Sequence, residues 1–89
     1  GPDVVGPLIA RDLESLQDKV PPFDQATAEA IVAETLGEPV ASAFIAFGPP
    51  IAAASIAQVH KARVRDGEVE RDVAVKILRP NVADRFRAD

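Results

Sequence analysis

The spacing of apolar residues changes from a helical to a strand period halfway along the chain, and this change restricts the fold more than any other feature. Ahead of Gly48-Pro49-Pro50, apolar side chains recur every three or four residues. Ile9, Leu13, Leu16 and Val20 make one stripe of an amphipathic helix, with Pro7 suited to its first turn and Pro21-Pro22 ending it after Lys19 or Val20. Asp24 can cap a second helix whose buried face is Ala28, Ile31, Val32, Thr35 and Leu36. Gly37 follows where a left-handed residue stops a helix, and Glu38-Pro39 restarts a short third helix through about Phe44.

Beyond the Gly-Pro-Pro break, Ile51 to Ser55 is a run of small residues, read as a loop. Ile56, Gln58, His60, Ala62 and Val64 then alternate with Ala57, Val59, Lys61 and Arg63, the period of a strand. Arg65-Asp66-Gly67-Glu68 is a turn. A second strand runs from Val69 or Arg71 to Leu78, with Val73, Val75 and Ile77 on one face and Ala74, Lys76 and Leu78 on the other. Pro80 closes it, and Asn81 with Asp84 resembles a capping box opening another helix towards Asp89. The expected class is α+β, N-terminal helices followed by a small antiparallel β-sheet. No internal repeat or low-complexity linker interrupts it.

Composition excludes several functions. The chain lacks cysteine, so thiol nucleophiles, disulfides and thiolate metal sites are impossible, and one histidine cannot build a multi-His cage. Net charge is −4. Residues 1–45 carry two basic and eight acidic side chains, whereas residues 46–89 carry eight basic and six acidic. An acidic chain without Trp or Tyr lacks both the counterion-releasing surface and the stacking platforms of a nucleic-acid binder. The mildly basic second half suits one phosphate-bearing small ligand. No apolar run approaches the ~20 residues of a membrane-spanning helix, and no signal peptide is visible, so a soluble piece is expected. With no Met and a Gly1-Pro2 opening, the sequence reads as a segment of a longer protein, Gly1 being a tag residue.

Lys76 is the sharpest chemical signal. It interrupts the apolar strand Val73-Ala74-Val75-Lys76-Ile77-Leu78, where desolvating an ammonium is costly. The plain alternative is an edge-strand gatekeeper, or a lysine whose stem lies on the sheet while its head reaches water. The upstream stretch Ala52-Ala53-Ala54-Ser55-Ile56-Ala57-Gln58-Val59 has the spacing of the kinase phosphate loop G-x-G-x-x-G-x-V, with alanine at all three glycine positions. Val73-Ala74-Val75-Lys76 then matches V-A-I-K. Tiny side chains let backbone N–H groups approach phosphates, and a lysine on the next strand neutralises them. The alternative for the alanine run is a close-packed β-turn.

At these residues the chain resembles the UbiB-type atypical kinases, a protein-kinase-like family tied to ubiquinone biosynthesis. Leu16-Gln17-Asp18-Lys19-Val20-Pro21-Pro22-Phe23 is similar to the family's helix end. Pro50 to His60 is similar to its alanine-rich loop, and Val73-Ala74-Val75-Lys76 with Arg79-Pro80 to its lysine strand. Pro2-Asp3 resembles the end of a preceding family segment. The resemblance implies a helical N-terminal extension over residues 1–46 and a partial kinase-like N-lobe over 47–89. It implies that Lys76 contacts nucleotide phosphates, that Ala52, Ala53, Ala54, Ser55, Ile56 and Ala57 cover them, and that Val59 and Ala74 line the same site. ATP or ADP with Mg2+ would be the ligand in the full protein. The family's Lys-x-Gly-Gln motif would precede Gly1, the acidic partner of Lys76 would lie on the helix cut at Asp89 or beyond, and the catalytic and metal-binding aspartates would belong to a C-terminal lobe. On that reading the segment holds no catalytic residue or metal ligand and cannot transfer phosphate alone. Its partners would be its own C-terminal lobe and, through the full protein, quinone-biosynthesis proteins or lipid precursors at the cytoplasmic side of the inner membrane.

The family is held to favour ADP, and alanine in place of glycine should stiffen the loop. His60 reads as a structural or solvent-facing histidine without a second ligand for a metal. The Ser55 hydroxyl would reach either a phosphate or its own backbone. Gln17 and Asp18 read as capping or packing residues, with a role beside the nucleotide implied by the resemblance. Asp12, Glu14, Asp18, Glu29, Glu34 and Glu38 form a wet helix face or a docking surface for the protein's other domains. Two rival functions remain open at this level: a stand-alone acidic α+β interaction module in which Lys76 is a plain surface lysine, and a family member acting on a substrate unrelated to quinones.

Overall fold

The computed structural model describes residues 20–81. The expected helix through Ile9, Leu13 and Leu16, the residues Gln17 and Asp18, and the helix body after Asn81 lie outside the described residues.

Helix α1 (Gln25–Leu36) begins and ends where its caps dictate. The Asp24 side chain accepts a hydrogen bond from the Thr27 amide at 3.0 Å and from the Thr27 hydroxyl at 2.8 Å. These bonds satisfy an amide that no helical carbonyl reaches and hold the Asp24 carboxyl below its ordinary pKa, the Thr27 side-chain bond first. At the other end Gly37 has φ 77°, and its amide donates to the Ala33 carbonyl. Ala28 and Val32 are fully buried, Ile31 and Leu36 are partly buried against them, and Thr35 is exposed with its hydroxyl returned to the Ile31 carbonyl. Helix α2 (Val40–Ala43) is a single turn begun by Pro39, shorter than the expected third helix.

Three antiparallel strands follow in the order β1-β2-β3: β1 (Ala46–Ala53), β2 (Ala57–Asp66) and β3 (Val69–Leu78). Gly67, at φ 67°, makes the tight reversal between β2 and β3. The strand β1 corrects the expected break and loop: Gly48-Pro49-Pro50 and Ile51 are strand residues. Proline is tolerated there because β1 lies at the edge of this sheet, and the pairing shifts register between Phe47 and Pro50 and again between Pro50 and Ala52.

One face of the sheet packs on α1. Ala62, Val75 and Ile77 meet Ala28 and Val32, with Phe23, Phe44, Phe47, Val40 and Val73 around them. Fully burying a side chain such as Ile77, Val75 or Val32 contributes about 1.5–3 kcal/mol. The helix and the sheet therefore share one core.

Candidate functional site

Strand register decides which candidate residues meet. β2 and β3 place Ala57 opposite Leu78, Val59 opposite Lys76 and Lys61 opposite Ala74, while β1 brings Ala52 opposite Val59. Residues directly opposite share a face. Ala52, Ala57, Val59, Ala74 and Lys76 are thus gathered on the face turned away from α1. Ala57 and Val59 are buried, and Ala52, Ala74 and Lys76 are half-buried. Ala53, opposite Gln58, lies on the core face instead. Ala54 is buried at the end of β1, and Ser55 and Ile56 form the tip of the hairpin. Among the described residues the Ser55 hydroxyl has no hydrogen-bond partner.

Ion pairs line one part of this face. Towards the β2–β3 turn, Arg63 bonds Glu70 at 3.0 Å and Asp72 at 2.7 Å, Arg65 bonds Glu70 at 2.8 Å, and Lys61 lies 3.8 Å from Asp72. The Arg63 hydrogen bond holds the Glu70 carboxyl below its ordinary pKa, and the bonds to Glu70 and then Asp72 raise that of Arg63. These cations are neutralised by carboxylates on the neighbouring strand. Lys76 sits nearer the other end, beside the alanine hairpin. Among the described residues no group of three or more His, Asp or Glu side chains could hold a metal ion.

The opposite face anchors the hairpin. Gln58 is fully buried; its carbonyl accepts from the Phe23 amide at 2.8 Å, and its amide nitrogen donates to the Phe23 carbonyl at 3.3 Å and meets His60 Nε2 at 2.9 Å. His60 Nδ1 lies 2.8 Å from the Gly48 carbonyl. That carbonyl only accepts, so Nδ1 carries the proton and Nε2 accepts from Gln58. The donor and acceptor count closes with a neutral imidazole, which also stacks on Phe47 at 5.0 Å. Of the two readings open for His60, the structure takes the structural one.

Arg79 completes the anchor. Its Nε donates to the Ala54 carbonyl at 2.9 Å, its Nη2 to the Pro21 carbonyl at 2.7 Å, and its guanidinium lies 5.6 Å from the centre of the Phe23 ring. Its own amide donates to the Ile56 carbonyl at 2.9 Å. Sequence reasoning missed this role for Gln58 and Arg79. The available signal was parity: Gln58 and His60 alternate with Val59 and therefore place two polar side chains on the apolar face, which demands partners.

Residues 15–89 match the ABC1 atypical kinase-like domain. The chain is 46% identical over 90 residues to a probable protein kinase UbiB of Xanthomonas campestris pv. campestris (strain B100) and 42% identical over 88 residues to that of Sodalis glossinidius (strain morsitans). Each alignment covers 98% of this chain, which spans 16% of the length of those relatives. No solved structure matches the chain. With a family match over most of its length, relatives of this similarity and an α+β fold that agrees, the chain belongs to the ABC1 atypical kinase-like family.

Proposed function

We propose that this chain is the nucleotide-phosphate-binding part of an atypical kinase or ATPase. Residues 47–89 supply part of its N-lobe and residues 1–46 a helical extension. Lys76 pairs with the phosphates of ATP or ADP, the hairpin Ala52–Ala57 covers them through its backbone, and Val59 and Ala74 pack beside the nucleotide. Mg2+, when bound, neutralises phosphate charge; its ligands and the catalytic base belong to other parts of the protein, so this segment alone does not transfer phosphate. One observation carries the reading: register brings Val59, Ala74 and Lys76 onto one face beside a hairpin of small residues.

The proposal extends to a role of the full protein in ubiquinone biosynthesis, at the cytoplasmic side of the inner membrane; the UbiB name of the relatives supports the first part alone. No described helix is long and apolar enough to cross a membrane. The test is equilibrium binding of Mg-ADP and Mg-ATP to the natural full-length protein and its Lys76→Ala variant. An attractive charge lost from a partly screened site should weaken binding by about tenfold or more. Equal affinity for both proteins, or no binding to either, would return weight to the interaction-module reading.

A further inference from the structure

The turn at the hairpin tip is closed by the Ala54 amide, which donates to the Ala57 carbonyl at 2.8 Å, and is braced by Arg79. Arg79 takes two of its carbonyl oxygens, Ala54 through Nε and Ile56 through its own amide. Arg79 lies two residues beyond Ile77, so its side chain starts on the core face, where it also meets Pro21 and Phe23. A trans peptide directs its N–H opposite its C=O, and every peptide bond of the described residues is trans. With the Ala54 carbonyl drawn to Arg79, the Ser55 amide of the same peptide points the opposite way, away from the Arg79 guanidinium. Among the described residues that amide has no hydrogen-bond partner.

We propose that Arg79 is a positioning residue for phosphate binding: by holding the Ala54 carbonyl on the core face, it aims the Ser55 N–H at an anion on the Lys76 face. This rests on the nucleotide reading above. The guanidinium fork suits the task because it bonds two carbonyls, Ala54 and Pro21, at once. Lysine has no planar fork, so it would hold one carbonyl without fixing the plane of the peptide. The Pro21 and Phe23 contacts make residues 20–23 the strut against which the loop is braced, together with the Gln58 bonds to Phe23.

The experiment compares Mg-ADP with adenosine, which lacks phosphates, as calorimetric ligands of the natural full-length protein. Arg79→Gln should weaken Mg-ADP about tenfold, the worth of a hydrogen bond to a charged group, and leave adenosine unchanged. Arg79→Lys should fall between Arg79→Gln and the unaltered protein. Ser55→Pro deletes the amide itself and should give the same selective loss without touching Arg79; combined with Arg79→Gln it should add nothing further. An unchanged ratio of ADP to adenosine affinity in Ser55→Pro overturns the proposal, even if the Arg79 variants fail to fold. A purely structural Arg79 would weaken both ligands together. The nucleotide reading fails separately if the unaltered protein does not distinguish Mg-ADP from adenosine, or if Lys76→Ala leaves that distinction intact.

Discussion

Replacing Gln58 by leucine tests the buried network that fixes the hairpin to residues 20–23. The side chain is fully buried and makes three hydrogen bonds, two to the Phe23 backbone and one to His60 Nε2. Leucine is close in size, so the cavity term is small and the polar terms dominate. The Phe23 groups are only partly buried and can regain water, so each lost bond there costs about 0.5–1.5 kcal/mol. His60 Nε2 is stranded out of water and carries a desolvation penalty of about 1–3 kcal/mol. Extra apolar burial offsets a part, leaving about 2–4 kcal/mol, a large share of the ~5–15 kcal/mol that holds a domain together. The chain has neither Trp nor Tyr, so urea unfolding is followed by far-UV circular dichroism, with the slope checked for constancy. In a His60→Phe background the stranded acceptor is gone, and the same substitution should cost at least ~1 kcal/mol less. A Gln58→Leu effect within about 0.5 kcal/mol, or strict additivity with His60→Phe, would refute the reasoning.

Further outcomes follow from other parts of the structure. Ile77→Ala removes a fully buried side chain between α1 and the sheet and should cost about 2–5 kcal/mol in the same assay. Ala54→Gly should lower stability by about 0.5–1 kcal/mol, because no described residue other than glycine adopts positive φ and glycine only adds freedom to lose; in the full-length protein it should raise ATP affinity, and unchanged nucleotide preference would count against a stiffening role for alanine. The Asp24 carboxyl is held below its ordinary value, so its stabilisation is complete above the unfolded pKa of about 4 and is lost as pH falls through the lower folded value. The difference in urea midpoint between the unaltered chain and Asp24→Ala should therefore be flat near neutrality and shrink in acid; a difference that grows in acid would contradict the cap.

The sequence made the local devices of the fold legible where one residue type has one physical job. Asp24 and Gly37 fixed both ends of α1, and Gly67 fixed the β2–β3 turn. Alternation separated Val73, Val75 and Ile77 from Ala74, Lys76 and Leu78, which is the division the structure makes. β1 was illegible because proline removes ladder donors, and only the edge position with two register shifts makes Gly48-Pro49-Pro50 compatible with a strand. For the candidate site, Lys76 and the alanine run stood out locally as a polar residue in an apolar strand and a run of tiny ones. Gln58 and Arg79 did not, because their partners, Phe23, Pro21 and Ala54, are 25 to 58 residues away along the chain. Long-range bonds of that kind leave only parity as a trace in one sequence.

The proposed binding place of the nucleotide phosphates is the face shared by Lys76, Val59 and Ala74, beneath the alanine hairpin. Hydrogen exchange of the natural full-length protein, with and without Mg-ADP, tests it most directly. Bound nucleotide should slow exchange in residues 53–59 and 74–78 and leave the β2–β3 turn at 66–69 unchanged. Slowed exchange confined to other segments, with the hairpin and the lysine strand untouched at saturating nucleotide, would contradict it.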